Sequence, residues 1–409
     1  MLINMKNAPL YLSAREAAAE LSISAASLYA YVSRGLIRSE PGSKARERRY
    51  RAEDVRALKA RRAPAQEGRG LRSFDADYPV LDSAVSTITE AGPLYRGVLA
   101  TALAERGTLE QGATLLWDAN GADPFARDNL PVVSSAMKDI LKATHDASPV
   151  ERAVAVLALA AEADPRAFNR VPEGRAAIGA RILRLIVAAM TGQEPSAAPL
   201  HRQVAKAWAR NSPHTEDLLR RALVLLAEHE LNPSTFTVRC AAATGISLFD
   251  AIIAGLVALK GPRHGGVGPR AAHLVATFAQ GDIAAIVRER VALGERFPGF
   301  GHGVYKGVDP RARALLDALA RAGADRRLTH EAPAAVYDGA GEAVNIDYAL
   351  AVMTLTLDMP LGAELALFAM ARSVGWIAHA SEQLQSGGLI RPRARYTGPA
   401  PGRMAGVKR

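Results

Sequence analysis

Apolar residues recur at three- and four-residue spacings along most of this chain, the pattern of helices with one face turned to a core. It is clearest in residues 218–230, 248–260, 271–279, 311–322 and 364–378. The stretch 251–259 is apolar nearly all round, which predicts a helix buried on every side of a large helical body. Strand-like alternation is rare, alanine and leucine abound, and aromatics are only 5% of residues, a balance that favours helix over strand. No fixed-period repeat and no low-complexity tract interrupts the pattern. The expected class is all-α.

The first sixty residues read differently. Ser13 can cap a helix, and Glu16 three residues on completes a capping box. Ser22-Ile23-Ser24 breaks that helix, Ser24 can cap a second over 25–33, and Gly35 supplies its stop. Two short helices joined by a tight polar turn predict a helix-turn-helix. Arg38 to Arg51 then crowds Lys44, Arg46, Arg48, Arg49 and Arg51 around Pro41-Gly42, which reads as a hairpin wing. A last helix is expected over 53–62. Residues 63–78, rich in Pro, Gly and polar side chains at their start, read as a linker. The body runs from 79 to 400, and 401–409 is a tail.

Charge sharpens this division. Residues 1–72 hold 15 Lys and Arg against 7 Asp and Glu, a net of +8, and the remainder of the chain carries only +2 of the total +10. A basic excess packed into one small segment is the footprint of a surface that meets polyanions. One cysteine, Cys240, excludes an intrachain disulfide and fits a reducing compartment. The N-terminus lacks a secretory pattern and no apolar run reaches the length of a membrane span. A cytoplasmic protein with no membrane partner is expected.

Four segments in the second half interrupt apolar helices with polar and charged residues. They are 229–237 with His229, 260–266 with His264, 297–311 with His302 and Arg311, and 345–348 with Asp347. Arg372 and Arg391 follow downstream. A lone histidine at a helix end is usually structural. His264 is followed by two glycines and His302 is flanked by Gly299, Gly301 and Gly303; glycines permit close backbone approach to a ligand. An aspartate in the apolar setting of Asn345 to Tyr348 costs free energy unless it is paired or functional. No HxxH or HxxxH spacing supports a metal site, so no metal and no cofactor are expected.

Taken together and in order, these segments resemble the citrate synthase family. Asp82 to Ser86, Gly92 to Gly97 and the helix at 109–117 extend the likeness upstream, so that it covers about 79–400. The N-terminal residues Ala17…Leu21, Ser24…Leu28-Tyr29, Arg34-Gly35-Leu36-Ile37 and Arg49-Tyr50…Asp54-Val55 resemble MerR-like and excisionase-like winged modules. The resemblance implies a large helical domain, a smaller domain (roughly 266–360) that closes over substrate, and a homodimer. It implies that acetyl-CoA condenses with oxaloacetate. Asp347 then matches the base that removes the methyl proton, His264 the donor to the thioester oxygen, and His302 the group that polarises the ketone. His229, Arg311 and Arg372 match oxaloacetate ligands, Arg391 an arginine supplied across the dimer interface, and Lys306 a cation near CoA phosphates. In the winged module the second helix enters the major groove and the wing touches phosphates; the positions are Ser24, Ser27, Arg46, Arg48 and Arg49.

Arg263, Val267-Gly268 and Gly303 depart from the family's usual residues around the acyl-CoA site. The departures leave a 2-methylcitrate synthase using propionyl-CoA as one alternative, since one methylene is worth only about 1–3 kcal/mol of discrimination. The other is a metabolite-sensing DNA-binding regulator with a synthase-like effector domain.

Overall fold

The computed structural model describes residues 11–21, 25–33, 37–41, 48–55, 81–121, 123–209, 212–392 and 396–398. The chain divides into two compact units, residues 1–72 and 73–409.

In the first unit a strand at Tyr11–Ser13 leads into helices Ala14–Leu21 and Ala25–Ser33. The expected capping box is present: Glu16 N donates to Ser13 Oγ at 3.3 Å and Ser13 N donates to Glu16 Oε2 at 2.8 Å. The wing is an antiparallel pair, Ser39–Pro41 against Arg48–Arg51, with the Tyr11–Ser13 strand added on its other side. That third strand escapes sequence reading because three residues are too short for alternation to register. The register sets Tyr50 opposite Leu12 and Ser39. Tyr50 thereby enters the small core of Leu12, Ala17, Leu21, Leu28, Ile37, Ala52 and Val55. Arg38 is held by Asp54, with Nε to Oδ2 at 2.9 Å. The last expected helix is seen over 52–55. Ser24, Gly35, Arg46 and the linker residues 63–78 lie outside the described residues, as does the side chain of Ser27.

The second unit is helical apart from a small sheet of Ser86–Thr89, Gly92–Tyr95 and Val98–Leu99. Two long helices, Pro172–Thr191 and Ala363–Ser386, form its centre, most of their residues buried. Helix Leu248–Leu259 crosses against Pro233–Ala242 and Ala363–Ser386. Close crossing needs glycine: a Cβ on Gly255 would lie 2.7 Å from Val238 and 2.8 Å from Trp376, and one on Gly179 would lie 2.8 Å from Ile377. Helices Gly268–Gln280 and Pro310–Arg321 both pack on Ile346–Thr356. No described helix is long and apolar enough to cross a membrane.

One expected helix ends early. The 218–230 pattern folds as Thr215–Leu226, because buried Tyr95 intercepts its end: Tyr95 Oη lies 3.1 Å from Val224 O and accepts from Glu228 N at 3.2 Å. Glu230 then takes a left-handed φ of 55°. Asn232 caps the next helix through Thr235 N at 3.1 Å, with Pro233 in its first turn. His229 and Glu230 therefore sit on a turn between two helices.

Candidate active site

Each candidate side chain is aimed by local chemistry. The loop bearing His302 needs left-handed backbone at Gly299 and Gly301, with φ of 89° and 71°. A Cβ on Gly299 would also come within 2.8 Å of Tyr348 Cβ. Gly303 has neither constraint. Asn345 pins this loop to the start of helix Ile346–Thr356. Its N donates to Gly299 O at 2.9 Å and its Nδ2 to Gly301 O at 2.8 Å. Its Oδ1 caps the helix at Asp347 N, 3.0 Å away. One asparagine thus ties Asp347 to the His302 loop.

The glycines after His264 have a packing role. A Cβ on Gly265 would meet Leu259 O at 2.8 Å, and one on Gly266 would meet Gly261 O at 2.9 Å. They let the His264 turn fold tightly onto the end of helix Leu248–Leu259. His264 Nε2 lies 2.8 Å from Ser234 Oγ. That hydroxyl donates to Asn232 Oδ1 at 2.8 Å and accepts from Trp376 Nε1 at 3.2 Å. It carries one proton and gives it to Asn232 Oδ1, so His264 Nε2 donates to Ser234 in this arrangement; turning that proton to His264 Nε2 instead would give the Nδ1–H tautomer, a donor on its free side.

His302 has no such choice. Its Nδ1 accepts from Val304 N at 3.0 Å and from Tyr305 N at 3.4 Å, which makes Nε2 the protonated nitrogen. Its ring, with those of His229 and Tyr305, forms a triangle of centroid distances 5.3, 5.6 and 4.7 Å. His229 Nε2 lies 3.0 Å from Tyr305 Oη, and the Arg311 guanidinium lies 6.0 Å from the tyrosine ring centroid. His264 packs edge-on against Phe368 at 6.1 Å, and Arg372 lies 4.7 Å over the same ring.

Two buried guanidiniums face this place. Arg311 is gripped by Asp309, with Nη2 to Oδ2 at 2.8 Å and Nε to Oδ1 at 3.1 Å. Among the described residues Arg372 donates only from Nε, to Leu226 O at 2.9 Å. Their charges reach the three histidines and Asp347. Burial and then Arg372 push His264 down to about 4, and burial and then Arg311 do the same to His302. Burial, with both arginines, holds His229 well below the usual imidazole range. All three imidazoles are neutral at pH 7. Asp347 moves the opposite way, raised to about 6 by burial, against the pull of Arg311 and Arg372. Burial lifts Tyr305 to about 12.

His229, His302, Asp347, Arg311 and Arg372 are thus brought together, with His264 at the Phe368 side. Lys306 is exposed one residue beyond Tyr305, and Arg391 is exposed after the last long helix; no described contact ties either to the cluster. Arg48 and Arg49 lie exposed on a strand of the first unit. Tyr305, Ser234, Asp309 and Asn345 were not singled out in the sequence, although all lie inside or beside the quoted motifs. Their signal was position next to a candidate, which does not separate a neighbour from a partner. Among the described residues no group of three His, Cys, Asp or Glu could hold a metal ion. Neutral imidazole donors, a carboxyl of raised basicity and two guanidiniums suit a small dicarboxylate and proton removal from a weak carbon acid.

Comparison with known proteins bears on both units. The family described as "Citrate synthase, C-terminal domain" matches residues 73–393, and "MerR HTH family regulatory protein" matches 12–73. A citrate synthase of Haloferax volcanii is 37% identical over 186 residues, 43% of this chain and 49% of that protein. A 2-methylcitrate synthase of Mycobacterium tuberculosis is 26% identical over 381 residues, 85% of this chain and 96% of that one. The chain spans about half the length of the more similar curated relatives. A solved ternary complex of Thermoplasma acidophilum citrate synthase with carboxymethyl coenzyme A and oxaloacetate shares the fold. Its TM-score is 0.66 at 23% identity, covering 81% of this chain and 97% of that one.

Proposed function

Because the chain belongs to the citrate synthase family, we propose that its larger unit condenses acetyl-CoA with oxaloacetate and hydrolyses the product to citrate and CoA. The observation that carries this is the meeting of a raised carboxyl with neutral imidazole donors beside two buried guanidiniums. Arg311 and Arg372 bind the two carboxylates of oxaloacetate, with His229 as a third ligand. Asp347 removes a methyl proton from acetyl-CoA. A base near pKa 6 is ionised at neutral pH yet more basic than an ordinary carboxylate.

His264 donates from Nδ1 to the thioester oxygen as charge builds there, once Ser234 turns its proton from Asn232 Oδ1 to His264 Nε2. The new carbon–carbon bond forms at the ketone carbon, and the ketone oxygen takes a proton from His302 Nε2. Water then cleaves the thioester, leaving the CoA thiol and the third carboxylate. Lys306 contributes a cation near the CoA phosphates. The working form is a homodimer in which Arg391, exposed in the single chain, completes the partner's site. A smaller domain, roughly 266–360, closes over the substrates, and one cysteine suits a cytosolic setting. Acetyl-CoA is preferred to propionyl-CoA because the resemblance to a 2-methylcitrate synthase is the weaker one.

The test is thiol release. CoA should appear only when acetyl-CoA and oxaloacetate are both present, and faster than with propionyl-CoA. No release, with Asp347→Ala indistinguishable from the parent, would remove the reading.

The N-terminal module is proposed to contact DNA, supported by its MerR match and its exposed Arg48 and Arg49. Binding should weaken steeply with salt as phosphate counterions are released. An absence of gel shift at low salt would refute it. A regulator without turnover is not favoured.

A further inference from the structure

Arg311 has a direct counter-ion in Asp309, but among the described residues Arg372 has none. A carboxylate-binding arginine in an empty, buried site faces a conflict. It needs a negative charge nearby, yet a direct salt bridge would occupy the fork that substrate requires. The structure holds a buried anion placed to resolve this. Glu228 is fully buried, and its neighbour His229 faces the site.

Three consecutive residues of the 226–229 turn meet one stripe of helix Ala363–Ser386. Leu226 O accepts from Arg372 Nε at 2.9 Å. Ala227 O accepts from Gly375 N at 3.1 Å. Glu228 Oε1 accepts from His379 Nε2 at 3.2 Å. A Cβ on Gly375 would sit 1.8 Å from Glu228 Oε2, so this contact exists only because position 375 has no side chain.

His379 does not cancel the charge. Its Nδ1 accepts from Arg239 Nη1 at 3.1 Å, which leaves it a neutral ring donating from Nε2. Arg239 has its own anion in Glu382. Ser86 Oγ donates to Glu228 Oε1 at 3.1 Å, and Oε2 has no hydrogen-bond partner among the described residues. Burial and Arg311 both work against the Arg372 cation, and Glu228 is the foremost group in its favour.

We infer that Glu228 is a positioning residue for the proposed reaction, a non-contact counter-ion that stabilises the Arg372 guanidinium while leaving its Nη groups free for a substrate carboxylate. It also sets the affinity of the site for dianions, because it repels the ligand that Arg372 attracts. The inference rests on the dicarboxylate reading of the cleft.

Glu228→Gln separates charge from hydrogen bonding, since the amide oxygen still accepts from His379 and Ser86. In the full-length protein its empty form should melt at lower temperature, and oxaloacetate should bind about tenfold tighter by calorimetry, one buried charge having been removed. The oxaloacetate-induced gain in melting temperature should grow accordingly. Glu228→Asp, which keeps the charge, should bind within about threefold of the parent. A purely structural role predicts the reverse: near-parental binding in Glu228→Gln and damage in Glu228→Asp. That outcome overturns the inference.

Should Glu228→Gln fail to fold, the double variant Glu228→Gln/Arg372→Gln removes both charges and should fold; its failure also overturns the inference. A parent that neither binds oxaloacetate nor releases CoA would sink the enzymatic reading instead. The stabilities of Glu228→Gln, Arg372→Gln and the double variant would still test the charge pair.

Discussion

Replacing Asp347 by asparagine should stabilise the empty protein while abolishing turnover. Its carboxyl is raised from 3.8 to about 6, roughly two pH units at about 1.4 kcal/mol each. Part of the residue still meets solvent, so screening trims the cost of ionising it in the folded state to about 2–3 kcal/mol. The sign follows from proton binding. The folded protein holds this proton more tightly than the unfolded chain does. Its contribution to stability is therefore full at low pH and is lost as pH rises from about 4 through about 6. Asparagine never ionises. Asp347→Asn should match the parent near pH 4 and exceed it by about 2–3 kcal/mol at pH 7, roughly 3–4 °C in the melting of a unit this size. Turnover should fall by about 10²–10⁴-fold, as for loss of a general base. The assay is thermal melting of both proteins across pH 4 to 7, beside thiol release. An equal gain at both ends of that range, or a loss at pH 7, would refute the reasoning.

Other consequences follow from the same geometry. Ser234→Ala removes the hydroxyl hydrogen-bonded to His264 Nε2 and should lower kcat about five- to tenfold with oxaloacetate affinity unchanged, one neutral hydrogen bond being at stake; equal losses in both would point to general damage. The acid limb of kcat/KM should have its midpoint near pH 6, the raised Asp347 value, with the rate rising as pH rises; a midpoint near 4 would assign the limb elsewhere. Gly299→Ala places a Cβ at a φ of 89° and 2.8 Å from Tyr348, and should cost about 1–3 kcal/mol of stability. Denaturant titration reads this directly.

Much of this was legible in the chain, for identifiable reasons. Long amphipathic segments such as Ala363–Ser386 announce themselves because burial imposes a 3.6-residue period over many turns. The Ser13 and Glu16 box is visible because capping depends on two residue types at one spacing. The end of Thr215–Leu226 was not visible, because Tyr95 terminates it from more than a hundred residues away. The packing role of the glycines beside His264 was not visible. They face the backbone of 259–261, a contact with no local signature. The histidines, Asp347 and the arginines stood out because charge in apolar helices is costly. Tyr305 and Glu228 did not, because only the fold shows that one faces His229 and the other lies behind Arg372.

The central claim is that Asp347 removes a methyl proton within a cleft organised by a bound dicarboxylate. Its most direct measurement is exchange of the acetyl-CoA methyl protons with solvent deuterium, in the presence of a dicarboxylate lacking the ketone so that condensation cannot follow. The parent protein should catalyse exchange only when that dicarboxylate is present, and Asp347→Asn should not. Exchange that persists in Asp347→Asn at the parental rate would contradict the account.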